Sequence, residues 1–68
     1  MQDVAKQFGI KVRAARKALG LSQDQLALMA NLDRSYMGRI ERGEVNITLE
    51  RIYRIAKVLN CSAKDLIP

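Results

Sequence analysis

Apolar residues recur at every third or fourth position along nearly the whole chain, and this spacing predicts a protein built from helices alone. The first helix is predicted to run from Asp3 or Val4 to Leu19. Asp3 is placed to cap its start, and Gly20 is placed to end it in left-handed backbone. Its apolar stripe consists of Val4, Phe8, Val12, Ala15 and Leu19. Gly9 lies in its middle and weakens it by up to about 1 kcal/mol relative to alanine.

The second and third helices are separated by only a short turn. Residues 22–25 (Ser-Gln-Asp-Gln) form a capping box that begins the second helix. Asn31 tolerates left-handed backbone and is predicted to form the turn that follows. Asp33 is predicted to cap the third helix, which ends at Gly43. The apolar face of the second helix consists of Leu26, Ala27 and Ala30.

A fourth helix and a short fifth helix complete the prediction. A loop over residues 44–47 leads to Thr48, which is predicted to cap the fourth helix, and Asn60 is predicted to end it. Its core stripe consists of Leu49, Ile52, Ile55, Ala56 and Leu59. A second capping box at residues 62–65 predicts a fifth helix over residues 63–67. The predicted fold class is therefore all-α, with five short helices.

The third helix, residues 33–42, has two incompatible faces. At about 100° per residue, Met37 and Ile40 fall together on one side and favour burial. The opposite arc of about 140° carries Arg34, Ser35, Gly38, Arg39 and Arg42. A helix that is held by a core on one side and carries three guanidinium groups on the other is suited to the major groove of DNA.

Length and charge limit the classes of function. With 68 residues the chain is predicted to form a single domain, residues 1–68. Twelve Lys and Arg residues against seven Asp and Glu residues give a net charge of +5, which favours a polyanionic partner such as DNA. Charge alone leaves open that the chain is merely a basic soluble domain.

Several other classes are excluded or disfavoured by composition. The chain has no His and one Cys, which rules out an intramolecular disulfide and a Cys-rich zinc site. Cys61 is interpreted as a small apolar core residue, with a reactive thiol as the alternative. No apolar run approaches the roughly 20 residues of a membrane span, and no secretory signal is recognisable. The expectation is a cytoplasmic protein with no cofactor, metal, membrane or small-molecule ligand.

The second helix, the turn and the third helix together are typical of a helix-turn-helix. Residues 19–27 (LGLSQDQLA) and 40–43 (IERG) resemble the Cro/CI, or XRE-like, helix-turn-helix family of phage and bacterial repressors. The resemblance extends from residue 8 to residue 66 and implies a lambda-repressor-like DNA-binding domain, in a nucleoid-associated protein of a bacterium or phage. Asn31 departs from the family pattern, which often has Gly at that position.

Two further stretches resemble one subfamily more than the rest of the family. Residues 31–36 (NLDRSY) and 40–49 (IERGEVNITL) look closest to the controller proteins of restriction–modification systems. The family implies a homodimer that binds double-stranded DNA at a near-palindromic operator, with half-sites about 34–36 Å apart. Carried over by position, the implied base-reading residues are Arg34, Ser35 and Arg39. The implied contacts to the DNA backbone are Gln23, Tyr36, Arg42, Asn46 and Thr48.

Most of these residues have a plainer interpretation as well. The arginines are also consistent with a solvated helix face, and Arg42 with a complement to the helix dipole. Ser35 is also consistent with a surface residue that has no specific role. Tyr36 is also consistent with a packed ring whose hydroxyl contacts water. Gly38 indicates either close approach to DNA or drift at an exposed position.

Two structural predictions follow from the same family. Arg16 and Glu41 match an Arg–Glu pair of the phage repressors and are predicted to form an ion pair that orients the third helix. A dimer patch is predicted at Val58, Leu66 and Ile67, because these apolar residues exceed what the core stripe requires. Scattered surface apolar residues are the alternative interpretation of that patch.

Competing functions differ in what they need. An antitoxin uses the same fold to bind an operator and a toxin protein, and a neighbouring toxin gene would distinguish it from a transcriptional regulator. An enzyme is disfavoured because the sequence has no His, no Cys–base arrangement and no glycine-rich phosphate loop. Few aromatic residues argue against single-strand stacking. The chain is therefore interpreted as a sequence-specific transcriptional regulator.

Overall fold

A computed structural model describes residues 3–68 as four helices and one short turn. The helices are α1 (Val4–Ala18), α2 (Gln23–Met29), α3 (Arg34–Glu41) and α4 (Leu49–Val58), and a 3₁₀ turn follows at Ala63–Asp65. The described residues form no strand, which agrees with the all-α prediction. The predicted fifth helix over residues 63–67 is wrong in type and length. Only one turn forms there, because the N–H groups of Asp65 and Leu66 bond to carbonyls three residues back and Leu66 then enters the core.

Local capping chemistry determines where each helix begins and ends. The predicted N-terminal caps form at Asp3, Ser22, Asp33 and Thr48, whose side chains each accept a hydrogen bond from a backbone N–H of the first turn. Left-handed backbone was predicted at Gly20 and Asn31, which have φ values of 72° and 58°. Gly43 (74°) and Asn60 (56°), which were predicted only to end their helices, also have positive φ. Left-handed backbone at these positions reverses the chain and satisfies carbonyl groups of each last turn.

One apolar core joins all four helices. Its fully buried large side chains are Val12, Leu26, Met37, Ile40, Ile55 and Leu66. Three predicted core residues, Val4, Leu19 and Leu49, are instead more than half exposed. Val4 and Leu49 are the first residues of their helices and Leu19 follows the last turn of α1. The apolar spacing along a helix therefore extends to terminal residues that no neighbouring helix covers.

Helices α1 and α3 approach each other closely at Gly9. A Cβ atom at this position would lie 2.5 Å from the carbonyl oxygen of Ile40 and 2.6 Å from that of Glu41. Both neighbours are backbone atoms, so an added methyl group has no room. Gly9, which the sequence identified only as a weak point of α1, thus lets α1 support the end of α3 directly.

Candidate nucleic-acid interface

Helix α3 is divided into a buried face and an exposed face, as the periodicity predicted. Met37 and Ile40 lie in the core. Arg34, Ser35, Arg39 and Arg42 are exposed. Together with Gly38 and with Gln23 from the start of α2, these four residues line one open hollow. Every residue predicted to read bases therefore shares a single concave surface.

Two of the three arginines in this hollow are paired with carboxylates that the sequence analysis did not identify. Nε of Arg34 lies 2.8 Å from Oδ1 of Asp24. Arg42 donates two hydrogen bonds to Glu44, at 2.9 and 3.3 Å. These bonds lower the pKa of the Glu44 carboxyl below its ordinary value and raise the pKa of Arg42 above its own. Arg39 forms no ion pair within residues 3–68.

Gly38 forms the floor of the hollow. It is buried rather than exposed, which excludes drift at an exposed site as its explanation. A Cβ atom there would lie 3.1 Å from Nη1 of Arg42 and 3.5 Å from Oε1 of Gln23. Because Gly38 has no side chain, the Arg42 guanidinium and the Gln23 amide can lie close to the backbone of α3. No side chain projects from the middle of this face.

Behind the hollow, Arg16 and Glu41 form a buried ion pair with two parallel hydrogen bonds. Nε and Nη2 of Arg16 donate to the two Glu41 oxygens at 2.7 and 3.0 Å, and Nη1 donates to the Leu21 carbonyl at 2.8 Å. The side chains are only 10% and 2% exposed. The hydrogen bond and the charge of Glu41 raise the pKa of Arg16 although burial opposes them. The pair links α1, the start of α2 and the end of α3.

Gln23 takes part in the same network. Its Nε2 donates to Oε1 of Glu41 at 3.0 Å, and its carbonyl oxygen lies over Gly38. An amide oxygen cannot donate a hydrogen bond to a phosphate. The donors that Gln23 keeps for a phosphate are therefore the second N–H of Nε2 and the backbone N–H at the start of α2.

The remaining predicted backbone contacts surround the start of α4. Tyr36 is half-buried, and its hydroxyl accepts a hydrogen bond from Nη1 of Arg51 at 3.0 Å. The same guanidinium lies 4.9 Å from the centre of the Tyr36 ring. Thr48 accepts the Arg51 N–H at 3.3 Å as the cap of α4, and Asn46 is exposed in the preceding loop. The Tyr36 ring is thus partly packed against the core, and its contact with DNA stays a prediction.

A second α4 arginine reaches the helix-turn-helix. Nη1 of Arg54 donates to the carbonyl oxygens of Ala30 and Asn31, at 3.4 and 3.2 Å, and thereby closes the end of α2. The sequence analysis missed Arg51 and Arg54, since their partners lie 15 to 24 positions away along the chain. No local pattern connects residues at such separations.

The predicted dimer patch is partly wrong. Leu66 is 2% exposed and belongs to the core, because the 3₁₀ turn directs it under α4. Val58 is half-buried, and Ile67 is 46% exposed. Leu49 and Tyr53, one turn apart on α4, are more exposed than either. The apolar surface near the end of the chain therefore differs in composition from the predicted one.

Other kinds of site find no support among residues 3–68. This part of the chain contains no group of three potential metal-ligating side chains. None of its helices has the length and apolar character needed to cross a membrane. Cys61 is partly buried against the core, and burial raises the pKa of its thiol, which favours the packing role over a reactive one.

Comparison with known proteins agrees with this geometry. The helix-turn-helix family profile matches residues 12–66. The control protein C.SmaI of Serratia marcescens is 40% identical over 65 residues, which cover 96% of this chain and 77% of that protein. The control protein C.BamHI of Bacillus amyloliquefaciens is 43% identical over 61 residues, with 88% and 75% covered. The crystal structure of the restriction–modification controller protein C.AhdI from Aeromonas hydrophila superposes with a TM-score of 0.90 at 41% identity, over 93% of this chain and 96% of that one.

Proposed function

The chain belongs to the helix-turn-helix family of DNA-binding regulators, and from that membership we propose that it is a homodimeric transcriptional regulator of a restriction–modification system. That it is a DNA-binding regulator and not an enzyme follows from the family. The controller role is supported by C.SmaI, C.BamHI and C.AhdI, whose names describe control or controller proteins. The site of action is accordingly the bacterial or phage genome in the cytoplasm.

The observation that carries the proposal is the single hollow on α3. Arg34, Ser35 and Arg39 line it together on a helix whose other face is held in the core. In the proposed complex α3 lies in the major groove and these three residues read base edges. Arg34 and Arg39 have the forked donors that match O6 and N7 of guanine. In the free protein Arg34 pairs with Asp24. In the proposed complex the guanine acceptors take the place of that carboxylate.

Contacts to the sugar–phosphate backbone surround this reading centre in the proposal. Gln23 presents the N-terminus of α2, where backbone N–H groups favour an anion. Arg42 lies beside Gln23, since its guanidinium and the Gln23 amide both lie over Gly38. Tyr36, Asn46 and Thr48 lie on the side towards α4 and contact the other strand's backbone. Such contacts fix the register of α3 in the groove without carrying sequence information.

Dimerisation is proposed through the apolar surface close to the end of the chain. Ile67 remains exposed from the sequence prediction, and Leu49 and Tyr53 on one face of α4 are the more exposed apolar residues. Val58 lies about 140° or more around α4 from both of them. A two-fold dimer that uses one such patch presents two α3 helices to one face of the duplex. Their separation of about 34–36 Å would match one turn of B-DNA.

Selection of bound sequences from a random duplex pool tests the function directly. The expected result is a two-fold symmetric motif with half-site centres about 10 base pairs apart. Arg34→Ala should relax the preference at one position of each half-site by about 1–3 kcal/mol. An enriched pool without symmetry would contradict the dimer, and equal loss of operator and random binding by Arg34→Ala would contradict its base-reading role.

A further inference from the structure

The positive charge of the protein is concentrated in one helix. Residues 1–20 contain five cations and one carboxylate, whereas residues 21–68 contain seven cations and six carboxylates. Four of the five net charges therefore belong to α1 and its cap, outside the helix-turn-helix itself. A field this uneven attracts a polyanion to a particular side of the molecule.

Three of these cations share one flank of α1. At about 100° per residue, Lys6, Arg13 and Lys17 fall within an arc of about 40°. Their arc lies directly beside Gly9 and Arg16, the residues of α1 that contact α3. Lys11 lies about 120° or more away around the same helix. We refer to Lys6, Arg13 and Lys17 as the α1 flank.

The α1 flank adjoins the C-terminal end of α3. Arg13 and Lys17 line one groove together with Glu41, at the end of α3. Lys6 passes beside Gly43, where a Cβ atom would approach the Lys6 side chain to 2.5 Å. Glu41 also binds Gln23, which lines the reading hollow. The flank and the hollow therefore lie on either side of the buried Glu41 carboxylate.

The side chains of the α1 flank are not engaged by carboxylates. The ion pairs among residues 3–68 involve Arg16, Arg34, Arg42 and Arg54 and none of the flank residues. Glu41, the nearest carboxylate in the groove, already accepts two hydrogen bonds from Arg16 and one from Gln23. The three charges of the flank therefore remain available to an external anion, unlike those of Arg34 and Arg42.

We propose that the α1 flank binds phosphates of the duplex that flanks the bases read by α3. This inference rests on the proposed function and adds a second contact surface to it. The partner is the DNA backbone, since phosphodiester charges are the anions next to the reading hollow in that complex. Long Lys and Arg side chains reach a phosphate from a helix that does not itself enter a groove. The flank contributes affinity that is strongly salt-dependent and independent of sequence.

The test is the salt dependence of binding to the selected operator and to a scrambled duplex of equal length. The double variant R13Q/K17Q should weaken binding to both duplexes by the same factor. The slope of log K against log salt should fall by about 1 for each phosphate that is no longer bound, hence by about 2 per protomer. The control K11Q/K64Q removes the same net charge away from the flank and should keep the wild-type slope.

Further measurements separate this inference from the function on which it rests. R13K/K17R preserves both charges and should restore the slope, and thermal melts should show that all variants fold. Trimming the base pairs that flank the operator should remove the difference between R13Q/K17Q and wild type. If wild type prefers the operator but R13Q/K17Q has the same salt slope as K11Q/K64Q, the flank contact is refuted and the proposed function is not. If wild type does not distinguish the operator from the scrambled duplex, the proposed function itself fails.

Discussion

Two arginine–carboxylate pairs lie on either side of the end of α3, and they differ chiefly in their access to water. Arg16 and Glu41 meet at 2.7 Å with side chains 10% and 2% exposed. Arg42 and Glu44 meet at 2.9 Å with side chains 59% and 50% exposed. The same chemistry at nearly the same distance therefore serves opposite purposes. Only the exposed pair can exchange its carboxylate for a phosphate without unfolding the protein.

Burial determines what each pair contributes to stability. An exposed pair is screened by water and contributes little. A buried pair is costly to break singly, because the remaining charge stays in a poorly solvated site. The half-buried contact between Arg51 and Tyr36 lies between these extremes. The comparison predicts a graded response when each contact is broken.

Glu41→Ala should give the largest effect. It leaves the Arg16 guanidinium buried without its partner and removes the acceptor of the Gln23 amide. The expected loss of unfolding free energy is about 3–5 kcal/mol, a drop in Tm on the order of 15 °C or more for a domain of this size. Thermal denaturation followed by circular dichroism measures it. Glu44→Ala is the matched control, and equal changes in Tm for both variants would invalidate the comparison.

Gly9→Ala tests the close approach of α1 and α3 that holds the buried pair in place. The new methyl group would meet the Ile40 and Glu41 carbonyl oxygens, so the two helices must separate. The expected destabilisation is about 1–3 kcal/mol, although alanine has the better helix propensity. Denaturant unfolding measures it, with the exposed Ala14→Gly of the same helix as the propensity control. A more stable Gly9→Ala variant would show that the contact is not tight.

Arg51→Met should give an intermediate effect. It removes the hydrogen bond to the Tyr36 hydroxyl and the cation above the ring. Combined with Tyr36→Phe in a double-mutant cycle, the coupling in stability should be about 0.5–1 kcal/mol. If Arg51 positions Tyr36 for DNA, the same cycle measured by operator affinity should also show coupling. Strict additivity in both cycles would mean that the contact is incidental.

Glu44→Gln should leave the Tm nearly unchanged and strengthen operator binding severalfold at low salt. The substitution frees Arg42 and removes a negative charge beside the proposed phosphate contacts. Electrophoretic mobility shifts at two salt concentrations measure the effect. Glu50→Gln, which removes a carboxylate beside Arg54 on α4, is the control and should not strengthen binding. Weaker binding by Glu44→Gln would instead assign Glu44 to holding Arg42 in its binding conformation.

Protonation of Glu44 on acidification should give the smallest change in Tm. The pKa of Glu44 is lower in the folded state, because Arg42 stabilises the ionised carboxylate. Its contribution to stability is therefore present above its ordinary pKa near 4.5 and is lost as the pH falls through the lowered value. The Tm difference between wild type and Glu44→Gln should shrink across that interval. A difference that grows on acidification would contradict the assigned direction of the shift.

Local patterns in the sequence were sufficient to predict most of the secondary structure. Asp3, Ser22 and Asp33 cap their helices through hydrogen bonds that span only two or three residues, and Asn31 adopts the left-handed backbone expected of it. Such interactions depend on residue type and spacing alone, so they can be recognised without a fold. The two-faced character of α3 was predicted for the same reason, since both faces lie within one helix.

The tertiary structure alone decided which side chains are paired and which apolar residues are covered. Asp24 and Arg51 became partners of site residues because their helices lie beside α3, and Glu44 because the chain turns back directly after α3. Leu66 became core and Leu49 surface although both are apolar residues in helical periods. Periodicity specifies the direction of a side chain from its own helix, whereas burial depends on whether another element lies in that direction.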